Sequence, residues 1–229
     1  MRVLAASTHA AADRLHFENH YFNFHAIRTT ALLALEQGDL AAAAEPVERA
    51  LEIVGGARPA FNYLAQLDRA RIWAAGGNHD EALASLPAAR SALKSDHSVL
   101  LAEADELEAR IRLALGDHSG ATGAVERLPG DRRVVMSAII ALAAGNPEQA
   151  TRALGSAPAE GATIRSDLEL RLLRASIAIS QSSPQAPALV RQALAVAERH
   201  GFAQTVVDTA PALVEHVISE PHLYPGPGS

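Results

Sequence analysis

The sequence contains no cysteine, which removes disulfides, thiolate zinc sites and cysteine nucleophiles. It has one lysine, Lys94, so its positive charge is carried almost wholly by arginine. The formal net charge is −6 and the pI about 5.9. An acidic chain lacks the clustered basic charge that a phosphate backbone demands, so direct nucleic-acid binding is not expected. Nothing approaches the roughly 18 consecutive apolar residues of a membrane span. The apolar start, residues 1–6, gives way to His9 and Asp13 too soon for a signal peptide. The expectation is a soluble, cytoplasmic protein without a membrane partner.

Catalytic and cofactor motifs are also missing. No G-x-x-x-x-G-K-[ST] phosphate loop, G-x-S-x-G elbow or H-E-x-x-H zinc motif occurs. Asp117-His118-Ser119 has the residue types of a hydrolase triad, but adjacent residues cannot form a relay whose members converge from separate segments. Asp117 is better read as a helix cap. We expect no enzyme and no cofactor.

What is present is helix-forming. Hydrophobic residues make up 48% of the chain and aromatics only 4%; the apolar content is largely Ala and Leu, which lead the helix-propensity ranking. Strand-favouring β-branched and aromatic types are sparse. The fold class expected is all-α.

A repeat becomes visible when turns are aligned on glycine. Gly38, Gly77, Gly116 and Gly145 are spaced 39, 39 and 29 residues apart. Ala31, Ala70, Ala109 and Ala138 stand seven residues before them, and Ala43, Ala82, Ala121 and Ala150 five after. Val47, Leu86, Val125 and Leu154 stand nine after. Glycine supplies the left-handed residue that stops a first helix, and the Asp or Asn after Gly38, Gly77, Gly116 and Gly145 caps a second one. Small alanines let the two helices approach, and the larger residue fills the seam between pairs.

A fifth copy is degraded. Ala175 fits if Ser182 is the anchor, whereas Ala186 and Val190 fit if Gln181 is, so its turn has lost a residue, with Pro184 expected in the first turn of its second helix. Residues 2–15 read as the second helix of a truncated preceding pair, and 203–219 as the first helix of a sixth. Breaker-rich stretches at 54–59 and 155–161 separate pairs. The expected organisation is one repeat domain over 1–220 and a disordered tail over 221–229.

These repeats resemble the tetratricopeptide-like sensor region of MalT-like, LuxR-type transcriptional regulators. The likeness is carried by Glu108-Ala109-Arg110-Ile111-Arg112-Leu113-Ala114-Leu115-Gly116-Asp117 and by the run from Ala193 through Gly201-Phe202 to Asp208, Pro211 and Leu213. In that family a similar Gly-Phe…Asp-x-x-Pro-x-Leu segment closes the repeats ahead of a linker and a DNA-binding helix-turn-helix. The resemblance implies a right-handed solenoid of helical hairpins, an effector-sensing and coupling role, and a fragment lacking both nucleotide-binding module and recognition helix. The partners it implies are a small-molecule effector or peptide and the rest of a longer regulator, with homo-oligomerisation open. The alternative is a scaffold holding a peptide or partner helix on its concave face.

Candidate binding residues lie on the first helices, which line the concave surface in stacks of this type. Arg71 and Arg110 stand six residues before Gly77 and Gly116, hence at equivalent positions. His25, Arg28, Glu103 and Glu106 complete the set. Equivalent arginines suit one anionic or polyhydroxyl effector, or an acidic peptide, and in that role they would add little to hairpin packing. The competing account is a face whose Arg and Glu residues satisfy one another. His16, His20 and His25 beside Glu18 have partial metal-ligand spacing; solvated or aromatic-packed histidines are the commoner outcome, and no metal is expected. Phe17, Tyr21, Phe22 and Phe24 suit core or docking at the truncated end, with a ligand platform as the alternative.

Overall fold

A computed structural model describes residues 23–54, 58–91, 93, 97–157 and 163–224. Among these, all regular structure is helical: twelve α-helices, one short 3-10 turn at the C-terminal end, and no strand. The chain divides into two compact units, Met1–Leu115 and Gly116–Ser229. The expected helix at 2–15, the residues His16, Phe17, Glu18, His20, Tyr21 and Phe22, and tail residues 225–229 lie outside the described residues.

The first unit holds α1 (Phe24–Glu36), α2 (Leu40–Val54), α3 (Pro59–Ala75), α4 (His79–Ser91) and α5 (Ser98–Ala114). Helices α1 and α2 pack as one hairpin and α3 and α4 as the next; α1 also packs on α3, and α3 on α5. The hairpin turn follows from glycine. Gly38 has φ of +75° and Gly77 of +81°, values that cost an L-residue side chain roughly 1–2 kcal/mol. That geometry turns two N–H groups back onto the helix end. Gly38 donates to the Leu35 carbonyl at 2.9 Å and Asp39 to that of Ala34 at 3.0 Å; Gly77 and Asn78 do the same to Ala74 and Trp73. Asp39 then accepts from the Ala42 N–H at 3.0 Å and caps α2.

The expected columns pack as cores. Ala31, Ala43 and Val47 are buried with Leu35 and Ile72. Ala70, Ala82 and Leu86 are buried with Tyr63, Leu67 and Ile111, where each large side chain contributes about 1.5–3 kcal/mol. Phe24 is buried with Ile27, Val54 and Ala65, and its ring stacks on Phe61 at 4.8 Å. Of the two roles open to this aromatic, the structure gives it the core.

The second unit holds α6 (His118–Val125), α7 (Gly130–Ala143), α8 (Pro147–Leu154), α9 (Ile164–Ser180), α10 (Ala186–His200), α11 (Ala203–Thr209) and α12 (Pro211–Ser219), then a 3-10 turn at Pro221–Leu223. Asp117 caps α6, accepting from the Gly120 N–H at 2.8 Å, and Asn146 caps α8 through the Gln149 N–H at 3.0 Å.

Several details depart from the repeat. Leu154 is only half-buried, so the seam column is interrupted after Val125. In the degraded copy Ser182 is the anchor, with φ of +51°, while Ala186 and Val190 are buried one register early. Pro184 sits in the turn ahead of α10 and Pro187 occupies its first turn. The single helix expected over 203–219 is two helices meeting at Ala210, whose φ is −142° and ψ 61°. Pro211 explains the break, because its ring disfavours the helical region for the residue before it. Residues 221–224, expected in the tail, are folded, and Tyr224 packs partly against the core of this unit.

Candidate functional site

The six candidate residues all lie in the first unit, on α1, α3 and α5. Arg28 is one turn into α1, on a helix held against α3 by its buried stripe Phe24, Ile27, Ala31 and Leu35. Asp68 and Arg71 are a turn apart on α3, between buried Leu67, Ala70 and Ile72. Glu103, Glu106 and Arg110 lie on α5 beside buried Ala104, Leu107 and Ile111. Helical periodicity therefore places these charges along the edge of the apolar stripes that join the first helices.

The geometry is a chain of ion pairs. Arg28 donates from Nε to Asp68 Oδ2 at 2.5 Å and from Nη2 to Oδ1 at 3.2 Å. Arg71 donates from Nη1 to Asp68 Oδ1 at 2.7 Å and from Nη2 to Glu103 Oε2 at 2.7 Å. One carboxylate on α3 is thus held by guanidinium groups from α1 and α3, and the second guanidinium continues to α5. The Asp68 side chain is 1% exposed, while Arg28, Arg71 and Glu103 are 20%, 25% and 39% exposed. The two arginines donate three hydrogen bonds to this carboxylate, which has almost no access to water and depends on such partners.

The electrostatics follow. Burial works against the Arg71 charge, but the Asp68 and Glu103 carboxylates more than offset it and push the guanidinium pKa higher still. Tyr63, whose hydroxyl donates to the Leu100 carbonyl, is pushed up to about 12 by burial and then by the Glu103 charge.

Arg110 behaves differently from its positional equivalent. It bonds within its own helix, to Glu106 Oε1 from Nε at 3.1 Å and from Nη2 at 2.9 Å. In their described bonds Arg71 and Arg110 hold different carboxylates. The expectation that Arg71 adds little to packing is also corrected, since it ties α3 to α5. His25 is exposed, and its ring sets its edge against Phe24 at 5.4 Å and Phe61 at 5.3 Å. Among the described residues no three His, Asp or Glu side chains group as metal ligands.

Asp68, the centre of the network, was not among the sequence candidates. Its signal was a carboxylate three residues before Arg71 in a helix otherwise apolar at that edge. Two further groups were also missed. Arg90 of α4 donates to Asp105 at 2.7 Å and Glu108 at 2.6 Å of α5, and Arg112 joins Glu108 at 2.8 Å. In the second unit, Arg132 of α7 reaches Glu169 of α9 at 2.7 Å. Among the described pairs, an arginine crosses from one first helix to an acid on the next at Arg28 to Asp68, Arg71 to Glu103, and Arg132 to Glu169.

No described helix is long and apolar enough to cross a membrane. The chain matches no protein-family model, no curated protein and no solved structure in comparisons with each.

Proposed function

We propose that this chain is the effector-sensing and coupling part of a LuxR-type transcriptional regulator, a cytoplasmic right-handed solenoid of tetratricopeptide-like hairpins that performs no catalysis itself. The observation that carries the reading is the closing segment. Gly201 has φ of +70° and stops α10, and the Phe202 N–H returns to the Ala197 carbonyl at 3.0 Å. Pro211 turns the chain, and Leu213, 1% exposed, enters a core with Leu168 and Leu172. The Gly-Phe…Pro-x-Leu pattern that bears the family resemblance thus buries its leucine in the core of the second unit, which supports a closing role for this segment at the end of a repeat stack. Fold alone assigns no function, so the receiving surface rests on chemistry. The first-helix edges of α1, α3 and α5 present partly exposed guanidinium and carboxylate groups already oriented by their neighbours.

The test is a thermal-shift screen of the chain against sugars, nucleotides and acidic metabolites. A true effector at about 100 times its Kd adds about 2.7 kcal/mol to stability. Its binding should weaken on Arg71→Ala or Arg110→Ala by about 1.5–3 kcal/mol if those groups touch it. The gene offers a second check: its reading frame should encode a helix-turn-helix beyond residue 229. No responding ligand together with no such motif would overturn the reading in favour of a peptide-binding scaffold.

A further inference from the structure

Hairpin repeats ordinarily communicate only with their neighbours, because each unit touches only the next. Here a polar chain runs past that limit. Asp68 is shared between Arg28 of α1 and Arg71 of α3, and Arg71 is shared between Asp68 and Glu103 of α5. We propose that Arg28, Asp68, Arg71 and Glu103 form a relay that couples α1 to α5 through α3, so that a disturbance at Glu103 is felt at Arg28.

The order of exposure gives the relay a direction. Glu103, at 39%, is its most hydrated member, and its described bond to Arg71 is through one carboxylate oxygen, so it leaves at least cost. Asp68, at 1%, cannot rehydrate and stays. When Glu103 lets go, Arg71 has only Asp68 left among these carboxylates and draws closer to it. Asp68 then shares less of its charge with Arg28. Conversely, loss of Arg28 leaves Asp68 more available to Arg71, which holds Glu103 less firmly. Loss of either end therefore weakens the contribution of the other, and removing both costs less than the two removals taken separately. The relay is a property of the folded chain and stands whether or not the sensing reading does.

The test is a double-mutant cycle on the whole chain with Arg28→Gln and Glu103→Gln, read from urea unfolding by Trp73 fluorescence. Trp73 is the only tryptophan and lies on α3. Residues on separate helices that share no partner combine to within about twofold in the unfolding constant. The relay predicts that the double variant is about fivefold more stable than the product of the single effects. It also predicts that the discrepancy disappears when the cycle is repeated with Asp68→Asn. Additive single effects, or a discrepancy that survives Asp68→Asn, would overturn the proposal. Should the Asp68 variant not fold, amide hydrogen exchange of Glu103→Gln decides. Faster exchange over residues 24–36 with the α4 hairpin side unchanged upholds the relay, and unchanged exchange at 24–36 overturns it.

Discussion

Replacing Asp68 with Asn keeps the shape of the side chain and removes its charge, which isolates what that charge does. Asp68 accepts three described N–H contacts, at 2.5 and 3.2 Å from Arg28 and 2.7 Å from Arg71. Asparagine retains one acceptor oxygen and turns an NH2 toward a guanidinium donor, so at least one of these contacts becomes donor against donor. Removing one partner of a fully buried ion pair costs about 3–5 kcal/mol. The two arginines are 20% and 25% exposed and recover part of their hydration, so the figure must be discounted for solvent screening. A loss of about 2–3 kcal/mol remains. With a urea slope of about 1–3 kcal/mol per molar, the midpoint followed at Trp73 should fall by about 1 M. The control is Glu48→Gln, whose pair with Arg69 is 3.9 Å long and whose side chain is 59% exposed; it should change stability by no more than about 0.5 kcal/mol. If Asp68→Asn costs no more than Glu48→Gln, the ion-pair chain contributes nothing, and the packing of α1, α3 and α5 is apolar alone.

Tyr63 titrates above its ordinary value near 10 and is pushed up to about 12. The fold favours its protonated form, so this stability is complete below pH 10 and is lost as pH rises from 10 through 12; tyrosinate absorbance should show a ring titrating near 12 that Tyr63→Phe removes. Ser182 bears a side chain at φ of +51°, so Ser182→Gly should stabilise the second unit by up to about 1 kcal/mol, measured by calorimetry, whereas Gly77→Ala should destabilise the first by about 1–2 kcal/mol. Leu213→Ala should cost about 2–5 kcal/mol and speed amide exchange through α11 and α12; a cost near zero would show that the closing segment does not seal its core.

What the sequence determined by itself was local. The hairpin turns at Gly38, Gly77 and Gly145, the caps at Asp39, Asp117 and Asn146, and the buried alanine columns were all legible. A left-handed stop, a cap and a close helix crossing depend on residues within one or two turns of each other. The break at Pro211 also follows from a local rule, since proline restricts its own predecessor, whereas the repeat scheme gives one helix over 203–219. The fifth turn stayed ambiguous between Gln181 and Ser182 because neither is glycine; only the backbone, left-handed at Ser182, chose. The candidate site was legible only as a set of helix faces. Arg71 and Arg110 are identical by position, yet one reaches across to Glu103, 32 residues away, and the other bonds Glu106, four residues away. Asp68 looked like an ordinary helix charge until α1 laid Arg28 against it from 40 residues upstream. Which acid meets which arginine depends on where the neighbouring helix sits to within an ångström or two. That placement is settled by how the apolar stripes of α1, α3 and α5 pack, and no local pattern in the chain records it.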